Sequence, residues 1–178
     1  MMALGLTLYP VISNYVNQKY ASEIFTAYQE VIAQTDNTVL LQERGKAIAY
    51  NQTLIPRTGS DGSYTQEALQ SASGEYNSML NLAGDGIMGY IEIPKINVHL
   101  PIYHGTGDSS LSKGVGHLLG SSLPVGGEST HSILSGHSGM ASQTMFTDLE
   151  QLGIGDVFYL YVPVSYTHLR AHETSLHL

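Results

Sequence analysis

At Gly84 the spacing of apolar residues changes, and that change limits what the chain can build. Upstream, Val16, Tyr20, Ile24 and Tyr28 recur at i, i+4 steps, and Phe25 and Ile32 widen the same face. Such spacing is helical. Downstream, Ile91 and Ile93 flank Glu92, and Ile96, Val98, Leu100 and Ile102 alternate with Asn97, His99 and Pro101. A period of two marks strands, here a pair joined at Pro94-Lys95. The sequence therefore divides into a helical region over residues 14–83 and a β region over residues 84–163.

The helical region resolves into three segments. Asp36 is an N-cap for a second helix through Leu40, Ala47 and Tyr50 to about Leu54. Pro56, Gly59 and Gly62 make the loop that follows. Ser63 with Gln66 forms a capping box for a third helix whose apolar row is Leu69, Ala72, Tyr76 and Met79. These helices are either an arm laid on the β domain or part of its core. In the β region, short strands are expected around Val115–Leu119 and Ser129–Leu134, then a short helix capped by Thr147 and Glu150. The run "GDVFYLYV" follows as a last strand with both faces apolar. Turn signals recur at the interval of a β-barrel or sandwich.

Composition removes several function classes. The chain has 178 residues and a net charge of −8, with 7 Lys plus Arg. It offers no basic stripe for nucleic acid. It has no cysteine, which excludes disulfides, thiolate metal sites and a thiol nucleophile within this chain. Twelve tyrosines, no tryptophan and many small polar residues fit an extracytoplasmic bacterial surface protein. The start "MMALGLTLYPVI" is uncharged but shorter than the ~20 residues of a bilayer span, and it lacks the basic flank of a signal peptide. Residues 1–13 are read as the outer end of a transmembrane anchor. At the other end, "SYTHLRAHETSLHL" has no clear apolar period and resembles translated adapter sequence, so residues 164–178 are read as a foreign tail.

The chemistry-bearing stretch is "HSILSGHSGM", in which His137 lies between Gly136 and Ser138-Gly139 at the end of an alternating run. That pattern exposes a titratable imidazole at the mouth of a strand. The other histidines suggest little. His99, His104, His117 and His131 fall on different predicted strands and turns, without a His-x-His pair, so no metal site is expected. His168 and His172 at i, i+4, with His177, would make a weak site at most. "GTGDSS" lacks the strand–elbow–helix context of a serine nucleophile, and "GVGH" is not a dinucleotide fingerprint, so no cofactor is expected. His117 is read as a packed or capping residue, with a place in a substrate groove as the other possibility.

The stretch from "GDGIMGYIEIPKINVHLPIYHGTG" through "SGHSGM" to "FTDLEQLGIGDVFYLYV" resembles the class C, pilin-polymerising sortases. The resemblance runs from about Tyr9 to Val162 and is dense from Gly84 onward. It implies a mainly β fold: an incomplete sortase-type barrel, eight-stranded in the family, preceded by a helical arm and a membrane anchor on the outer face of a Gram-positive cell. It implies a cysteine transpeptidase that cleaves LPXTG-type sorting signals and joins pilin or surface-protein subunits. "SGHSGM" matches the family's catalytic-histidine motif, which gives that role to His137.

The resemblance also exposes departures. The family's nucleophilic cysteine and its arginine lie on strands after the point where the likeness ends, so this chain by itself is expected to be inactive. Class C enzymes carry an Asp-Pro-aromatic lid; in "PRTGSDGSYTQEAL" only Asp61 and Tyr64 are candidates, with no proline between them. Ser138 stands where an arginine is common. Two other readings stay open: a non-catalytic surface β-module, and a His-rich metal-binding protein. A barrel without its last strands would leave unpaired edges and is expected to be aggregation-prone or only partly folded.

Overall fold

The computed structural model describes the backbone of residues 2–54, 73–139, 144–163 and 165–170, with side chains over 12–54, 73–139 and 144–163. Helix α1 spans Met2–Gln34 and α2 spans Asn37–Leu54. A short helix, α3, covers residues 73–78. The strands are β1 (Ile87–Ile93), β2 (Val98–His104), β3 (Val115–His117), β4 (Leu134–Ser135), β5 (Val157–Val162) and β6 (Ser165–Arg170). They form one six-stranded sheet in the order β4-β3-β2-β1-β5-β6.

The β1–β2 joint forms where the sequence places it. Pro94–Ile96 make a 3-10 turn, Asn97 takes the left-handed region at φ 51, and Ile93 pairs with Val98. Side chains then alternate as the period predicts. Ile91, Ile93, Ile96, Val98 and Ile102 enter the main core, whereas Tyr90 belongs to a second cluster under α1. Gly89 is required by proximity: a Cβ there would lie 2.5 Å from the Tyr161 carbonyl oxygen on β5. From β2 the chain crosses over through a one-turn helix, α4 (Asp108–Leu111), and returns as β3, parallel to β2.

Helices cover both faces of the sheet. Tyr28 of α1 packs with Ile87 and Tyr90, supported by Ile24, Phe25 and Ile32. Ala47, Tyr50 and Leu54 of α2, and Tyr76, Met79 and Leu80 of the α3 region, enter the main core on the other face. The second and third helices are therefore core elements. Asp36 caps α2: its Oδ1 accepts the Thr38 N–H at 2.7 Å and bonds the Thr38 hydroxyl as well.

Several expectations need correction. Val16 and Tyr20 are 56% and 61% exposed, not on the buried face. The reason is geometric: each i+4 step over-rotates a helix by about 40°, so three steps from Tyr28 carry the row far off the contact line. The contact line is instead Asn14, Asn17, Ala21, Ile24 and Tyr28, all at least half-buried, at steps of three and four. The backbone of α1 also runs unbroken through residues 13 and 14. No helix among the described residues is long and apolar enough to cross a membrane.

In the β region, the strand expected at Ser129–Leu134 shrinks to Leu134–Ser135; Ser129 takes φ 58, and the His131 and Ile133 carbonyls accept the Ser122 and Leu118 N–H groups outside a regular ladder. The helix expected after Thr147 is a single 3-10 turn over Leu149–Gln151 with Asp148 at its N-cap. Finally, β5 is not the last strand. Ser165–Arg170 pair antiparallel with it along its whole length, from Val162↔Ser165 to Val157↔Arg170. The pairing comes from the neighbouring strand's open edge, not from an apolar period in the segment itself.

Candidate active site

His137 lies two residues past β4, partly buried, and its backbone is fixed from several sides. Gly136 lies against the Phe146 ring; a Cβ on it would come within 2.8 Å of Phe146 Cδ2. The Phe146 N–H donates to the His137 carbonyl at 3.1 Å. Gly139, at φ +73, donates its N–H to Thr147 Oγ1 at 2.9 Å. A glycine before the histidine thus allows close packing, and a glycine after it allows the left-handed turn.

The side chain of His137 is left open to chemistry: among the described residues no side-chain hydrogen bond to it is present. Beside it, Leu134 and Phe146 form part of an apolar trough of about 410 Å³, floored by Ile91, Ile93, Leu123 and Leu160. His137 itself does not line the trough; its backbone is tied to Phe146, which does, and an imidazole can pass a proton to or from a group within its reach. It cannot attack a carbonyl as a thiolate does, and the chain has no cysteine to do so.

His117 has the opposite surroundings. It is 0% exposed on β3, and Tyr76 stacks on it. Nε2 lies 2.9 Å from the Ser122 carbonyl, which can only accept, so Nε2 carries the proton. Nδ1 then faces the Tyr76 hydroxyl at 3.0 Å, whose one proton is shared between that nitrogen and the His117 carbonyl at 2.9 Å, and the hydroxyl in turn accepts the Gly105 N–H. Burial pushes the His117 pKa down to about 4, against the opposing pull of the Ser122 carbonyl. The geometry makes it a neutral tie between α3, β2 and β3, inside the core and away from the trough.

The remaining histidines are dispersed. His99 packs edge-on to Phe25 under α1, and its pKa is lowered by burial although Glu92 lies across the strand pair. His104 sets its two ring nitrogens against the Gly86 and Met79 carbonyls. His131 is exposed. Among the described residues no group of three or more His, Asp or Glu converges. Asp61 and Tyr64, with Ser63, Gln66, Leu69 and Ala72, lie outside the described residues, as do His172 and His177. The "GTGDSS" stretch forms α4, with Gly107 as N-cap and Asp108 in its first turn.

The supports of His137 were not apparent from sequence. Phe146, Thr147 and, on α1, Asn14 reach the motif only through the fold. Asn14 Oδ1 accepts both the N–H and the hydroxyl of Thr144, each at 3.2 Å. No local pattern marks a partner 130 positions away.

Comparison with known proteins identifies the architecture. Residues 91–175 match the sortase domain family, through β6 and beyond. The structure superposes on the crystal structure of sortase C1 from Streptococcus agalactiae with a TM-score of 0.75 and 36% identity, covering 85% of this chain and 76% of that one. The chain belongs to the sortase family. A second class C structure, Clostridium perfringens sortase C with the C-terminal cell wall sorting motif, matches at TM-score 0.66 and 36% identity over 85% of this chain and 75% of that one. Among curated proteins, sortase D of Bacillus subtilis (strain 168) is 44% identical over 68 residues, 38% of this chain. That match spans 31% of the sortase D length.

Proposed function

We propose that this chain carries the histidine part of a sortase transpeptidase centre of class C type. The observation that supports it most is the placement of His137: an imidazole with no hydrogen bond among the described residues, on a pinned, glycine-flanked turn next to residues of an apolar trough, in a sheet of the sortase family. The reaction class follows from what such a ring can do. A cysteine thiolate, supplied by sequence outside this chain, attacks the Thr carbonyl of an LPXTG-type signal. The Thr–Gly C–N bond breaks, and the His137 imidazolium gives its proton to the leaving glycine amine. A lysine amine of the next pilin or surface-protein subunit then attacks the thioester, gives a proton to the now neutral His137, and releases the thiolate as the C–S bond breaks. A cationic or N–H donor, the family's arginine, offsets charge on the tetrahedral oxygen.

The substrate class is supported by the relative solved with a cell wall sorting motif. We place the protein on the extracytoplasmic face of a Gram-positive membrane, held through its N-terminal segment. The sequence is uncharged from Met1 to Gln18, and α1 exposes Ile12, Tyr15 and Val16 along that stretch, with Tyr20 just beyond it. Tyrosine and aliphatic side chains on one helix suit a lipid–water boundary.

The test is the genomic reading frame past the codon for Val162, expressed and mixed with an LPXTG peptide. We expect a frame that reaches a cysteine and an arginine, a thioester adduct by mass spectrometry, and a loss of about 10²-fold or more in turnover on His137→Ala. The present chain should form no adduct. The absence of cysteine favours a second reading, a non-catalytic surface β-module. A native stop codon, or a frame without a thiol near His137, would decide for that module.

A further inference from the structure

The first half of α1 is joined to the domain differently from the second. From Ala21 to Tyr28 the contact is apolar, but ahead of Ala21 the inward residues are Asn14 and Asn17. There α1 spans a cavity of about 180 Å³, walled by Asn14, Gln18, His99, Lys113 and Thr144. Apolar packing does not hold the helix at this point. Polar contact does: one amide oxygen, Asn14 Oδ1, receives two donors from Thr144. Thr144 in turn accepts the Thr147 N–H at 2.8 Å on its carbonyl. Thr147 Oγ1 accepts the Gly139 N–H, and the adjacent Phe146 donates to the His137 carbonyl while its ring seats Gly136. An unbroken set of bonds therefore runs from the N-terminal helix to both sides of the histidine.

We propose that Asn14 is a positioning residue for His137, so that the seating of α1 sets where the imidazole points. This rests on the reading of His137 as the reacting group. The helix that leads toward the chain's N-terminus and the turn that carries the proton donor then form one mechanical unit. A shift of the first half of α1 would be passed to the 144–147 turn, because Asn14 bonds Thr144 directly.

The experiment uses the chain as it stands, isotope-labelled, with Asn14→Ala, Asn14→Asp and Thr144→Val variants. Asn14→Asp keeps the acceptor oxygen and serves as the conservative rescue. Loss of the two bonds in Asn14→Ala should speed amide exchange at Gly139 and Phe146 about tenfold and shift the His137 ring resonances, with the amides of β1 unchanged. Asn14→Asp should restore parent values. If Asn14→Ala fails to fold, Thr144→Val, which removes only the hydroxyl donor, should give the same changes in smaller measure. Parent-like Gly139, Phe146 and His137 signals, or a change spread evenly over β1 and not rescued by aspartate, would overturn the proposal. These readouts require no thiol and no peptide substrate, so they decide the relay whichever way the reading-frame test falls.

Discussion

His117 and His137 sit at the ends of neighbouring paired strands and share a side chain, yet the fold treats them in opposite ways. His117 has no exposed surface, partners on both ring nitrogens and a pKa pushed down to about 4. His137 has a partly open ring, a backbone held by its neighbours and a trough beside it. In the first case the protein fixes the ring and gives up its chemistry; in the second it fixes the backbone and leaves the ring available. A histidine's role is therefore set by which of its atoms the fold bonds.

The sharpest break would come from truncation. His117→Ala leaves a cavity and takes the ring N–H from the Ser122 carbonyl, which should cost about 3 kcal/mol of stability in urea unfolding. His137→Ala should stay within about 0.5 kcal/mol of the parent. Equal losses at the two positions would erase the contrast. Acid tests the same difference with no mutation. The unfolded His117 titrates near 6.5 and the folded one near 4, so the unfolded chain binds the proton first. Stability from this group is whole above pH 6.5 and falls as pH drops toward 4, by about 3 kcal/mol in all. A His117→Phe variant should lose that slope.

Tyr76→Phe isolates the network further. It leaves Nδ1 of His117 and the Gly105 N–H without their partner and should cost about 1–2 kcal/mol, read as a shifted urea midpoint at constant slope. Gly136→Ala is expected to cost about 1 kcal/mol of stability, since Phe146 can move aside. Its distinguishing sign is a moved His137 ring resonance; an unmoved one would show that the Phe146 contact does not seat the turn.

Much of this was legible in the sequence wherever a single segment decides its own geometry. The β1–β2 joint at Pro94-Lys95 and the Asp36 cap are local chemistry, and the glycines about His137 announce a turn. What was hidden depends on partners. The inward line of α1 could not be read from an i, i+4 row, because over several turns such a row spirals off the contact. The strand at Ser165–Arg170 takes its form from β5 and has no apolar period of its own. Asn14 and Thr144 are ordinary polar residues until the fold brings them together. Asp61 and Tyr64 stay an expectation.

The sheet ends in two short borders, β4 with two residues and β6 with six. Among the described residues neither border has a further strand beside it, and a sheet border of that kind can accept an extended polypeptide. Dilution should therefore preserve this protein better than cooling does, since growth by strand addition depends on encounters between copies. A purification that concentrates it early selects for fibrous sediment.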